Sequence, residues 1–147
     1  MKTTMLKLTL IALVSVSLFA SCKKEEDKPT GCLINTANIA GSYKLGGMEY
    51  AAGGNVPPID FMTFIDDCEK DDLLIFVNNG ILRHEDKGIL CEESDNEEGT
   101  WKLEGNSLRL DGESVGAITS FDCKTMVYAV DNFLKQGDKM TITYIKQ

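Results

Sequence analysis

Gly112-Glu113-Ser114-Val115-Gly116 has the G-x-S-x-G spacing of a nucleophile elbow, where a strained strand-to-helix turn lifts a serine hydroxyl toward a base. That chemistry needs a histidine after the serine. The single histidine, His84, precedes it, and the residues after Gly116 alternate like a strand. The segment therefore reads as a turn between strands. His84, between Arg83 and Glu85, is expected on a hairpin surface. The acidic run Glu92–Glu98 invites a calcium reading: counted from Glu93, the residues Asp95, Glu97 and Glu104 fall at positions 3, 5 and 12. Position 6 is then Glu98, where the sharp turn of an EF-hand loop needs glycine. Counting from Ser94 puts Gly99 at position 6 but leaves Gly105 at position 12, where the ligand should be. The run reads as a solvated acidic loop, as does the group Asp66, Asp67, Asp71 and Asp72. One histidine and no closely spaced cysteine pair leave zinc without ligands. No catalytic residue, metal or cofactor is expected, and the chain reads as a non-enzyme.

A cysteine with different chemistry lies near the start. Lys2 and Lys7 precede an apolar run, Leu8–Leu18, of about eleven residues. That is the length of a signal-peptide core and short of the ~20 residues a bilayer span needs. The run ends in Phe19-Ala20-Ser21-Cys22, which resembles the lipobox of bacterial lipoproteins. The resemblance implies a diacylglyceryl group on the Cys22 thiol, cleavage after Ser21, and acylation (palmitate) of the freed amine. More than one acyl chain makes such an anchor stable. Ordinary secretion with cleavage near Ala20 is the alternative. The next residues, Lys23-Lys24-Glu25-Glu26-Asp27-Lys28-Pro29, have no apolar surface to bury and read as a solvated tether. They resemble the export signal of Bacteroidota-type surface lipoproteins. An outer-membrane lipoprotein displayed at the cell surface is expected, with the periplasmic face as the alternative. The layout is thus a signal peptide over 1–21, a lipidated N-terminus and tether over 22–38, and one domain over 39–147.

The balance of the chain restricts its partners. Its 147 residues are 43% hydrophobic and 26% charged, a globular composition of one-domain size. The net charge is −8, and a chain beginning at Cys22 has 13 basic against 23 acidic residues, or −10. Such a surface lacks the dense positive face that nucleic acid needs. A monomer is expected, held to the membrane by its lipid.

From Gly41 onward the hydrophobic period is two, with frequent turn signals. The pattern predicts strands over Ser42–Met48, Leu73–Val77, Ile81–Asp86, Thr100–Glu104, Ser107–Asp111, Gly116–Phe121, Thr125–Val130 and Lys139–Lys146. Ile59–Ile65 fits a strand or a short helix. In the hairpin around Gly105-Asn106, paired positions sum to 211, so Trp101 faces Leu110 and Leu103 faces Leu108. Lys102 and Arg109 then go to water. In the last strand Met140, Ile142 and Tyr144 share one face. The expected fold is all-β, a small antiparallel eight-stranded up-and-down barrel.

A signal peptide implies an oxidising compartment, so the four cysteines of the body are disulfide candidates with three pairings open. Asn79-Gly80 is a type I′ hairpin signal, and a turn centred there pairs positions summing to 159. Cys68 and Cys91 satisfy that sum, which leaves Cys32 with Cys123 to pin the tether to the barrel.

Three motifs then point to a family: Gly41-Ser42-Tyr43-Lys44-Leu45, Cys68-Glu69-Lys70-Asp71-Asp72 leading to Asn79-Gly80, and Gly99-Thr100-Trp101-Lys102-Leu103. Together they resemble the lipocalin-like domains of Bacteroidota lipoproteins over about residues 39–146. Gly41-Ser42-Tyr43 stands where true lipocalins open with Gly-x-Trp. The resemblance implies a calycin-type barrel, which is either packed solid or just wide enough for one small ligand. The expected function is binding of a small apolar ligand, with Tyr43, Trp101, Leu103, Leu108, Leu110, Met140, Ile142 and Tyr144 as candidate lining. The alternative is a filled barrel that contacts a protein or glycan through its loops, Glu92–Glu98 and Gly46–Pro58.

Overall fold

The computed structural model describes residues 31–91, 97–112 and 114–147. The expected strands form: β1 Gly41–Ala51, β3 Leu73–Phe76, β4 Ile81–Glu85, β5 Glu98–Glu104, β6 Ser107–Leu110, β7 Ser114–Phe121, β8 Thr125–Asp131 and β9 Lys139–Lys146. Each pairs antiparallel with the next, and β1 pairs with β9, so these eight strands close into a barrel. The ambiguous 59–65 segment is divided between both forms. Ile59–Asp60 is a short strand, β2, on the edge of β1, and Phe61–Phe64 is a 3-10 turn capped by Asp60. Two single-turn helices complete the set, α1 Thr36–Ile39 and α2 Asp67–Lys70.

Two strands of the closed barrel each carry one extra residue. The pairing of β1 with β9 shifts between Leu45 and Gly47, and that of β7 with β8 shifts between Ile118 and Ser120. A bulge reverses the inward–outward alternation. Tyr43 and Leu45 before the Gly46 bulge and Met48 and Tyr50 after it therefore share the inward face. At Gly46 a side chain would meet Ile145 at 2.7 Å. The second bulge lets Ile118 and Phe121, three positions apart, both be buried.

The Gly105-Asn106 hairpin has the expected register, Trp101 with Leu110 and Leu103 with Leu108, with Lys102 and Arg109 exposed. The other hairpin corrects its expectation. Leu74 pairs with His84 and Phe76 with Leu82, so positions sum to 158 rather than 159. A type I′ turn needs positive φ at both central residues, and Asn79 does not adopt it. Instead Gly80 alone does, at φ 89°, donating to the Val77 carbonyl at 3.0 Å, while the Val77 amide donates to Ile81 at 2.8 Å. The loop has three residues, with Gly80 as the bulge position.

One end of the barrel is shut. Ile39, at the end of α1, is wholly buried, and its carbonyl accepts the Tyr43 hydroxyl at 2.7 Å. Residues 31–38, read from the sequence as the end of a loose tether, pack against this end. Cys32 donates its amide to Phe121 at 3.0 Å and is bonded to Cys123, with Cα atoms 5.2 Å apart. Above the plug, Phe76 meets Tyr43 and Trp101 edge-on at 5.5 and 5.2 Å, geometry worth ~0.5–1.5 kcal/mol per pair beyond burial. The Trp101 indole donates to the Val77 carbonyl at 2.8 Å. Leu108, Ile118, Met126 and Tyr128 fill the rest of this half.

Candidate functional site

Toward the other end the packing stops and a cleft of about 260 Å³ opens. Strand register brings its wall together. Tyr43 on β1 lies beside Leu74 on β3, Leu74 beside His84 on β4, and Leu45 beside Tyr144 on β9. Met48, beyond the bulge, and Ile65, after the 3-10 turn, add apolar surface higher up. Glu69 on α2, Asp72 and His84 make one side polar.

The polar side is held by backbone. Asp72 is only 7% exposed; its Oδ1 accepts the Lys87 amide at 3.0 Å, and its Oδ2 lies 3.7 Å from His84 Nε2. Asp71 accepts the Ile89 amide at 3.0 Å, so the two carboxylates shape the loop after β4. These two are therefore structural and partly or fully buried, where the sequence suggested a solvated cluster; Asp66 and Asp67 are exposed as expected. Glu69 accepts the Asp66 amide at 3.3 Å, which closes the first turn of α2. The Cys68–Cys91 bond ties α2 to the loop after β4, Cα to Cα 5.4 Å. Both expected disulfides are present. The Cys68–Cys91 pair does not follow from the hairpin sum, because the ladder ends at Leu73 and Glu85, short of both cysteines. It joins a helical turn to a loop.

His84 borders the cleft while its side chain keeps 39% of its surface exposed. Strand alternation explains this: Leu82 is buried, Arg83 is exposed and paired with Glu98 at 2.7 Å, and His84 turns inward again. An adjoining hollow of about 230 Å³ shares Leu74 and His84 and has Glu97, Glu98 and Asp111 on its rim.

Of the eight candidate lining residues, Tyr43 and Tyr144 border this cleft. Burial pushes both phenols up to about 12, and for Tyr144 the neighbouring Tyr128 adds to the shift. Both are therefore neutral at ordinary pH. Trp101 and Leu108 are buried in the packed half, Leu103, Leu110 and Ile142 lie against that core, and Met140, also buried, pairs with Tyr50 and Val130 toward the other end. Sequence reasoning missed Leu45, Met48, Ile65 and Leu74 as lining, along with the polar trio. Leu74 and His84 were recoverable from alternation; the two segments that bring in Ile65 and Glu69 have no periodic signal.

Gly112 and Ser114 stand at the β6–β7 turn as expected, and Ser114 opens a strand rather than a helix. Most of the acidic loop, residues 92–96, lies outside the described residues, as do Cys22 and the segments before and after it. Among the described residues no cluster of metal-ligating side chains occurs, and no helix is long and apolar enough to cross a membrane. The Gly46–Pro58 segment, expected as a loop surface, is strand as far as Ala51.

Comparison with known families matches residues 39–128 to the lipocalin-like domain. The match covers more than half the chain, and the chain belongs to that family: a closed antiparallel barrel of a kind that often binds small hydrophobic molecules and is generally non-enzymatic. No curated protein matches the chain.

Proposed function

We propose that this chain is a lipoprotein, anchored through Cys22 in the outer membrane and displayed at the surface, whose barrel holds a small, mainly apolar ligand. The observation that carries the ligand reading is the division of the barrel interior. One half is packed around Tyr43, Phe76 and Trp101, while the other is an apolar-walled cleft with polar groups on one side. Binding pockets have that character, apolar walls with a few oriented polar groups, although this one is below the usual ~300–1,000 Å³ and suits a small guest.

The test is native mass spectrometry of the protein purified from its host membrane. A retained small molecule, lost from a Leu74→Trp variant that fills the cleft, supports the reading; the same mass retained by that variant refutes it. A second reading has its own observation. Phe64, Ile89 and Leu90 are 67%, 61% and 71% exposed, on the segments that flank the cleft. Large exposed apolar side chains suit contact with a partner protein, and in that case the filled cleft would leave partner binding intact.

A further inference from the structure

We propose that the ligand of the cleft carries a positively charged amine at one end of an apolar body. This deepens the binding reading above and rests on it. Two carboxylates make up the acidic part of the lining, beside one histidine, and among the described lining residues there is no lysine or arginine. Asp72 is the decisive group. It is almost buried, and its contacts among the described residues are one backbone amide and His84 at 3.7 Å. Lys87, whose amide it accepts, turns its ammonium away to Glu85 at 2.7 Å. A buried carboxylate is costly unless a cation or several donors attend it. An ammonium arriving between Asp72 and Glu69 supplies both the charge and the donors.

The rest of the lining fits the same guest. Tyr43 and Tyr144 add aromatic surface for the apolar body of the ligand, and the Tyr43 ring already has the Lys146 ammonium 5.6 Å from its centroid. The neutral Tyr144 hydroxyl, at the cleft wall, can accept from an ammonium. The adjoining hollow adds Glu97, Glu98 and Asp111, and the whole chain is at −8. A carboxylate or phosphate ligand would meet repulsion from Asp72 and Glu69. An organic ammonium meets attraction.

The experiment compares three probes of similar shape by calorimetry on the purified, disulfide-intact full chain: 2-phenylethylamine, 2-phenylethanol and 3-phenylpropionate. The amine should bind at least ten-fold more tightly than the alcohol, and the acid should bind least. Asp72→Asn keeps an oxygen for the Lys87 amide and should reduce the amine's advantage over the alcohol to less than three-fold while alcohol binding persists. Glu69→Gln, which retains the α2 capping contact, should reduce it in part and serves if Asp72→Asn does not fold. Equal binding of alcohol and amine overturns the charge inference and leaves the cleft as a binding site. Failure of all three probes to bind overturns both.

Discussion

The phenol of Tyr50, near the end of β1, donates a 2.8 Å hydrogen bond to Oδ2 of Asp138, the residue before β9. The amides of Leu134 and Lys135 donate to the same oxygen at 3.1 and 2.9 Å. One carboxylate, 3% exposed, thereby ties the loop before β9 to the strand that closes the barrel.

Burial raises the Asp138 pKa, but the bonds from Tyr50 and from the backbone of Lys135, Leu134 and Phe133 outweigh it, leaving the group below the usual carboxylate range. A depressed pKa stabilises the fold above the unfolded value of ~4 and loses that effect as pH falls through the folded value. Asp138→Asn should melt several degrees lower at neutral pH, and the gap should narrow progressively in acid. Melting curves at neutral and acid pH check this; coincident curves at neutral pH would contradict the role given to the carboxylate.

At the other end of the scale are Tyr43 and Tyr144, both pushed up to about 12 by burial. The stability they contribute is complete below ~10 and is lost as pH rises toward the folded value. Ultraviolet titration should find Tyr43 and Tyr144 ionising near 12, with Tyr50 also raised by its bond to Asp138. Tyr43→Phe should remove one of them and cost about 1–2 kcal/mol, because the Ile39 carbonyl loses its donor in a buried place.

Gly116 is in the middle of β7, where alanine is ordinarily the better residue. Here an added Cβ would be 2.5 Å from the Ala129 carbonyl oxygen and from the Tyr128 ring. Gly116→Ala should therefore destabilise by about 1–3 kcal/mol, the range for overpacking. Gly47→Ala, whose Cβ would come no nearer than 3.7 Å to a neighbour, is the control and should be close to neutral. Chemical denaturation compares them.

Both disulfides should register in thermal melts. The residues joined are 23 apart for Cys68–Cys91 and 91 apart for Cys32–Cys123. Chain entropy alone assigns about 3 and 4–5 kcal/mol to loops of these sizes. Cys68→Ser with Cys91→Ser should lower the melting point by about ten degrees or more. Peptide mapping without reduction should recover these two pairs and no Cys32–Cys68 peptide.

Cys22→Ala tests the anchor. The variant should move from the membrane to the soluble fraction with its barrel intact. Retention in the membrane would remove the lipid from the proposed function.

The strands were legible because each has period two between strong turn signals, and the Trp101–Leu110 hairpin because its turn and its apolar pattern agree. The register around Gly80 was not: Asn79-Gly80 serves a two-residue or a three-residue loop, and only the backbone angle at Asn79 distinguishes them. The Ile39 plug and the Ile65 and Glu69 edges of the cleft are single-turn features, too short for periodicity. His84 is exposed as its charged neighbours suggest, and its alternation with Leu82 is the signal that it also borders the cleft. The cleft boundary within the barrel depends on which inward side chains meet at the centre, a property of closure that no single strand encodes.

The Cys32–Cys123 bond is also a load path. A pull applied to the chain ahead of residue 32 passes through the disulfide into the turn between β7 and β8. It bypasses α1 and β1, the elements that stopper the barrel. Drag on a tethered molecule would otherwise peel these first, from the end, one hydrogen bond at a time. With the bond intact the force is shared across two long, mutually paired strands, and the stopper keeps its seat under tension.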